Sequence, residues 1–176
     1  MTNPALDSRA NEQWSYALQC YARPGVPQAC LLLQDRLSLD VLVLLHAACL
    51  AHRHGVNVSR QEVAHADVEV RDWREQVVRP LRAARRAIDK EDAALSGLRA
   101  QIQQAELQAE RHAMDRLAAM PLPADRHQEP PPSAAIAVVA DFYGARHAGD
   151  ASWKTPEVEQ AIATLEHALG MPPAGA

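Results

Sequence analysis

The chain has few aromatic residues, few glycines and no long apolar run, and each shortage narrows the fold. Aromatics make up 4% of its 176 residues, with a single phenylalanine, and glycine occurs seven times. Sandwiches and barrels draw on aromatic and β-branched strands joined by glycine-rich turns, so the composition argues against both. The longest apolar stretch, residues 41–51, is interrupted by His46 and falls short of the ~20 residues that a membrane-spanning helix needs. Three cysteines, Cys20, Cys30 and Cys49, form no CxxC pair, and the odd count reads as free thiols in a reducing cytoplasm. Asp7, Arg9 and Glu12 stand where a secretory signal would be apolar. The net charge of −4 argues against a generally basic nucleic-acid binder. Glycine-rich phosphate loops, GxSxG and HExxH are absent, so no catalytic residue, metal-ligand set or cofactor is expected.

What the chain does have is alanine, leucine, arginine, glutamine and glutamate, all strong helix formers. Turn signals cut them into segments. A polar lead-in is expected over residues 1–10, then a helix over 12–22, stopped by Arg23-Pro24-Gly25. Pro27 suits the first turn of a second helix running to about residue 36. Ser38 is the expected N-cap of a third helix ending near His54, with Asp40 in its first turn and Gly55 as C-cap. Ser59 and Glu62 have capping-box spacing and open a short fourth helix. A fifth begins near Asp67, with Val70, Trp73, Val77, Leu81, Ala84 and Ile88 as its apolar stripe, and Pro80 should kink or split it. Residues 93–120 read as one long alanine-rich helix. Pro121 ends it, and residues 121–133 read as a proline-rich linker. Two helices follow, one over 134–147 with Gly144 and Gly149 at its fraying end, the other opened by Thr155-Pro156 and closed by Gly170. The expected fold class is all-α: a compact multi-helix bundle over 11–120, then a C-terminal helical pair over 134–170.

Trp14, Tyr21, Pro24-Gly25-Val26, Cys30-Leu31, Leu33-Gln34-Asp35, Asp40-Val41 and Leu44-Leu45 form a W-x6-Y-x2-PGV-x3-CL-x-LQD-x4-DV pattern. With Trp73, Val77-Val78, Pro80-Leu81-Arg82 and Arg85-Arg86 it resembles an uncharacterised family of small all-helical proteobacterial proteins, over residues 12–90. The resemblance implies a helical fold in a bacterial cytoplasm and no activity. The chain departs from the family pattern at Ser38, usually glycine, at Leu42, usually asparagine, and at His46, usually apolar.

Two regions are candidates for function. The first lies where helices one to three converge, near Trp14, Tyr21, Gln34, Asp35, Asp40 and His46. It could hold a small molecule if at least two of its polar groups are not consumed by caps. Capping is the plainer role for Asp40, and core packing for Trp14 and Tyr21, which share a helical face with Leu18, leaving Tyr16 to point outward. The second region is the arginine-rich segment 71–90, with seven basic residues against three acidic ones. Its Arg82, Arg85 and Arg86 could grip an acidic partner, or pair with acids of neighbouring helices. A thin apolar stripe on the long helix must pack on the domain or on another chain. These features point to a non-enzymatic protein-interaction or regulatory module, with a protein partner or a second copy of the chain as the expected contact. A small-molecule or enzymatic domain is the alternative, and a nucleic-acid regulator is the weaker one.

Overall fold

The computed structural model describes residues 4–123, 132–147 and 152–170. The described residues form eight α-helices and no strand: α1 (Pro4–Tyr21), α2 (Val26–Leu37), α3 (Val41–His54), α4 (Arg60–Trp73), α5 (Arg79–Ala87), α6 (Ser96–Ala119), α7 (Pro132–His147) and α8 (Pro156–Gly170). A π-helical turn, Arg74–Val78, joins α4 to α5, and a 3-10 turn, Ala93–Leu95, leads into α6. The all-α class is therefore observed.

Local chemistry explains most boundaries. Gly25 sits at φ 82° before α2, a conformation that favours glycine. A Cβ there would also lie 3.0 Å from the methyl of Thr164 on α8. The reciprocal capping box of Ser59 and Glu62 is present. The Thr155 hydroxyl accepts from the Val158 N–H at the start of α8.

Three boundaries differ from expectation. Helix α1 begins at Pro4, within the segment read as a lead-in. The N-cap of α3 is Asp40, whose Oδ1 accepts from the N–H groups of Leu42 and Val43. Ser38 instead ends α2 in the left-handed region, at φ 52°. It is the one non-glycine residue with positive φ among the described residues, which gives a backbone reason for glycine at this point of the pattern. Lastly, α4 runs unbroken through Asp67.

The run continues through Pro80, but its regular α-helix is divided just before it, by the π turn between α4 and α5. The proline ring would clash with the preceding turn of a regular α-helix. The chain widens just before it, with the Arg79 N–H bonding the carbonyl of Arg74, and continues to Ala87. One extra residue in that turn rotates everything after it by about 100°. The anticipated stripe is displaced accordingly: Val78 is buried, Ala84 is exposed, and Arg82 and Arg85 face inward.

Helix α3 is the central element. Residues Val43 to Ala51 are buried without interruption, because α1, α4, α6 and α7 surround it. Helix α8 packs on α2 and α7, so the C-terminal helices contribute Ile136, Val139, Leu165 and Leu169 to the same core cluster as α1–α4. Gly144 falls in the last turn of α7, where the indole of Trp153 occupies the space a Cβ would need. Gly149, most of the linker and residues 171–176 lie outside the described residues.

Helix α6 packs on its own chain. Its second half buries Ala113, Met114 and Leu117. It runs antiparallel to the α4–α5 helix, as the pairs Arg116–Glu69, Trp73–Ala109 and Arg85–Glu106 show. Leu95 and Leu98, at the other end, are exposed.

Candidate functional site

Helix α1 presents two faces. Gln13, Tyr16, Ala17 and Cys20, at i, i+3, i+4 and i+7, are buried. Trp14, Leu18 and Tyr21 lie on the adjoining face. The assignment made from periodicity is thus reversed: Tyr16 is 4% exposed and Tyr21 40%. Polar Gln13 concealed the true core stripe. The displaced aromatic face forms one wall of a cavity of about 540 Å3.

The other walls come from α2, the start of α3, the π turn with α5, and α6. Apolar side chains line its floor and mouth, including Leu18, Tyr21, Leu31 and Leu107, which are exposed. Around them stand five arginines, Arg74, Arg79, Arg82, Arg85 and Arg86, against three carboxylates, Asp40, Glu106 and Glu110. Seven of the nine residues singled out in the sequence therefore meet here: Trp14, Tyr21, Gln34, Asp40, Arg82, Arg85 and Arg86. The two candidate regions are opposite walls of one groove. Asp35 is exposed on the outer side of α2, and His46 lines a different cavity.

Most of the charge in the groove is internally paired. Arg82 reaches three partners: Nε donates to Glu106 at 3.0 Å, Nη1 to Gln34 Oε1 at 2.6 Å, and Nη2 to Glu110 at 2.7 Å. Arg85 Nε donates to the other Glu106 oxygen at 2.5 Å. Burial pushes the Glu106 carboxyl up, and the hydrogen bonds from Arg85 and Arg82 more than reverse this, leaving it lowered. Glu110 remains raised, because burial outweighs its bond to Arg82. Arg86 is exposed and makes no hydrogen bond or ion pair with the described residues.

Arg74 joins the groove to the core. Its Nη1 donates to Asp40 at 2.7 Å and to Asp67 at 3.0 Å. Asp67, 1% exposed, also accepts from Arg71, Arg146 and the Tyr143 hydroxyl. Burial alone would raise its carboxyl, but the bonds from Arg71, Tyr143 and Arg74 bring it down to about 2. Sequence reading missed Asp67, Glu106 and Arg74. The signal for Glu106 was available, as one of several acids on α6 facing an arginine helix. Nothing local marks Asp67, whose partners come from α4, the π turn and α7.

The chain belongs to a family of unknown function, DUF2390. The family's sequence profile matches residues 12–117, a longer stretch than the 12–90 that carry the resemblance. Every residue lining the groove lies within that span, from Trp14 to Ala113. Two of the donors to Asp67, Tyr143 and Arg146, lie outside it. No curated protein and no solved structure matches the chain.

The three cysteines are free and buried. Burial pushes the Cys30 and Cys49 thiols up to about 12, which keeps them protonated and poorly nucleophilic. Among the described residues no group of three or more histidine, cysteine or acidic side chains could hold a metal ion, and no helix is long and apolar enough to cross a membrane.

Proposed function

We propose that the protein is a non-enzymatic interaction module whose groove docks an acidic, amphipathic helix of a partner protein. One observation carries this reading. Of the eight exposed large hydrophobic residues among the described ones, four (Leu18, Tyr21, Leu31 and Leu107) converge on the mouth of a single cavity, and the arginines around it outnumber the carboxylates. Clustered exposed apolar surface is the usual mark of a binding face, and a helix-in-groove contact needs apolar anchors with a charged rim. The excess positive charge selects an acidic rather than a basic helix, and Arg86 is the groove arginine with no hydrogen bond or ion pair to the described residues. Arg82 and Arg85 serve chiefly to hold the α5 wall against α6, because both bond to Glu106 on that helix and Arg82 also to Glu110.

Peptide-display selection of 16-residue helices against the full chain tests this. The expected winners carry leucine or aromatic anchors at i, i+3 or i+4 and i+7 with glutamate and aspartate between them. Their binding should weaken at least tenfold in Leu18→Glu and in Arg86→Glu, and should weaken as salt rises. Enrichment of basic helices, or binding indifferent to both substitutions, would refute the reading. Light scattering on the same proteins separates a foreign partner from a second copy: a dimer that dissociates in Leu18→Glu would put another molecule of this chain in the groove instead.

A further inference from the structure

A second cavity, of about 400 Å3, lies between α1, α3, α4 and the end of α6. Its walls are largely aliphatic, among them Val43, Leu50, Val58, Leu117 and Leu122. Six polar side chains interrupt them: Arg9 and Gln13 on α1, His46 on α3, and Gln61, Glu62 and His65 on α4. Arg9 and Gln13 are one turn apart on α1, so both present to the same side.

Arg9 and Gln13 each hold a buried N–H group with no hydrogen-bond partner among the described residues. Gln13 is 1% exposed. Its Oε1 accepts from His46 Nδ1 at 2.9 Å, and its buried amide nitrogen has no partner. The bond fixes the histidine tautomer, and burial drops the His46 pKa to about 3, so the ring is neutral and supplies no charge. Arg9 is half-buried and donates through Nη2 to the Met120 carbonyl at 2.7 Å. Its Nε is buried without a partner, and it makes no ion pair among the described residues. Burial lowers its pKa, as expected for a cation lacking a counter-ion. The carboxylate that lines the cavity, Glu62, accepts from the Ser59 backbone in the capping box. The cavity thus combines a cation with no ion pair among the described residues, two donors without partners one helical turn apart and largely aliphatic walls, with the Glu62 carboxylate turned to its own helix cap.

We propose that this cavity binds a small monocarboxylate with an apolar tail, its oxygens accepting from Arg9 Nε and Gln13 Nε2 and its tail against Val43, Leu50 and Leu117. A buried arginine and a buried amide, each with a spare N–H, match the two oxygens of one carboxylate. A phosphate dianion would bring more charge than a single arginine neutralises, and an uncharged ligand would leave Arg9 without a counter-ion. The site does not depend on the groove reading, because the two cavities share no lining residue.

The experiment is a two-dimensional NMR titration of the full chain with octanoate, beside octanol and octylamine. Octanoate is expected to shift the Gln13 side-chain amide and the His46 ring saturably, with octanol at least tenfold weaker and octylamine without effect. Gln13→Glu places a carboxylate one turn from Arg9 and supplies the missing anion from within. It should abolish octanoate binding without lowering the melting temperature. Arg9→Met should weaken binding at least tenfold. Equal binding of octanol and octanoate, undiminished binding to Gln13→Glu, or shifts confined to the Trp14 indole of the groove would overturn the proposal, as would no saturable octanoate binding at all.

Discussion

Asp67 is one residue with four donors: Arg71, Arg74, Arg146 and Tyr143. A buried carboxylate is costly unless its lone pairs are filled, and removing one side of such a network strands the other. Asp67→Asn keeps the size and loses the charge, leaving Arg74 with Asp40 as its remaining inward partner. The expected loss is about 3 kcal/mol, a fall of roughly 6–12 °C in melting temperature for a chain of this length. The pH dependence has a definite sign. A carboxyl lowered on folding adds stability that is complete above its unfolded pKa of roughly 4. That stability is lost as the pH falls toward about 2. Urea midpoints followed by circular dichroism at pH 5, 4 and 3 (values chosen on the order of that window) should fall more steeply in the wild type than in Asp67→Asn. Parallel slopes would mean that the network does not tie folding to this proton.

At the scale of the element, helix positions were largely legible and helix faces were not. Prolines, glycines and capping residues act on the backbone next to them, so the starts of α2, α4 and α8 could be read directly. Faces depend on what lies opposite. Helix α1 meets the core through Gln13, Tyr16 and Cys20 and offers its more apolar-looking face to the groove. On α5 the π turn shifts the phase by one residue, and Glu106 on the facing helix makes Arg82 and Arg85 the inward residues in place of the anticipated stripe. The groove residues were legible as two separate patches, but only the pairing of α5 with α6 makes them one site. Packing between elements also decides the role of Gly144. Alanine gains about 1 kcal/mol over glycine within a helix, yet here a Cβ would run into the Trp153 ring, and overpacking of that kind costs about 1–3 kcal/mol. Gly144→Ala should therefore destabilise the protein in thermal melts, whereas the same change in a Trp153→Ala background should stabilise it. A stabilising Gly144→Ala in the wild type would mean that the indole moves aside freely.

At the scale of the whole molecule, the family span and the hydrophobic core do not coincide. The profile stops at residue 117, but α3 is buried on every side only because α7 covers it, and α8 closes over α2. Ile136, Val139, Tyr143, Leu165 and Leu169 are all core residues beyond that limit. Burying side chains of this size contributes about 1.5–3 kcal/mol each, so together they are worth roughly 10 kcal/mol, comparable with the ~5–15 kcal/mol by which a typical domain is stable. Their removal would also take Tyr143 and Arg146 from Asp67, deep in the remaining part. A chain ending at residue 123 keeps the complete groove lining and the complete Arg9 cavity lining, yet it should not fold cooperatively. It should retain helical circular dichroism while giving a poorly dispersed NMR spectrum and binding a hydrophobic dye. A sharp melt and a dispersed spectrum from that fragment would show that α1–α6 stand alone. If the fragment fails as expected, the groove can be built only on a scaffold completed by α7 and α8, and binding by the family span must be measured in the full chain.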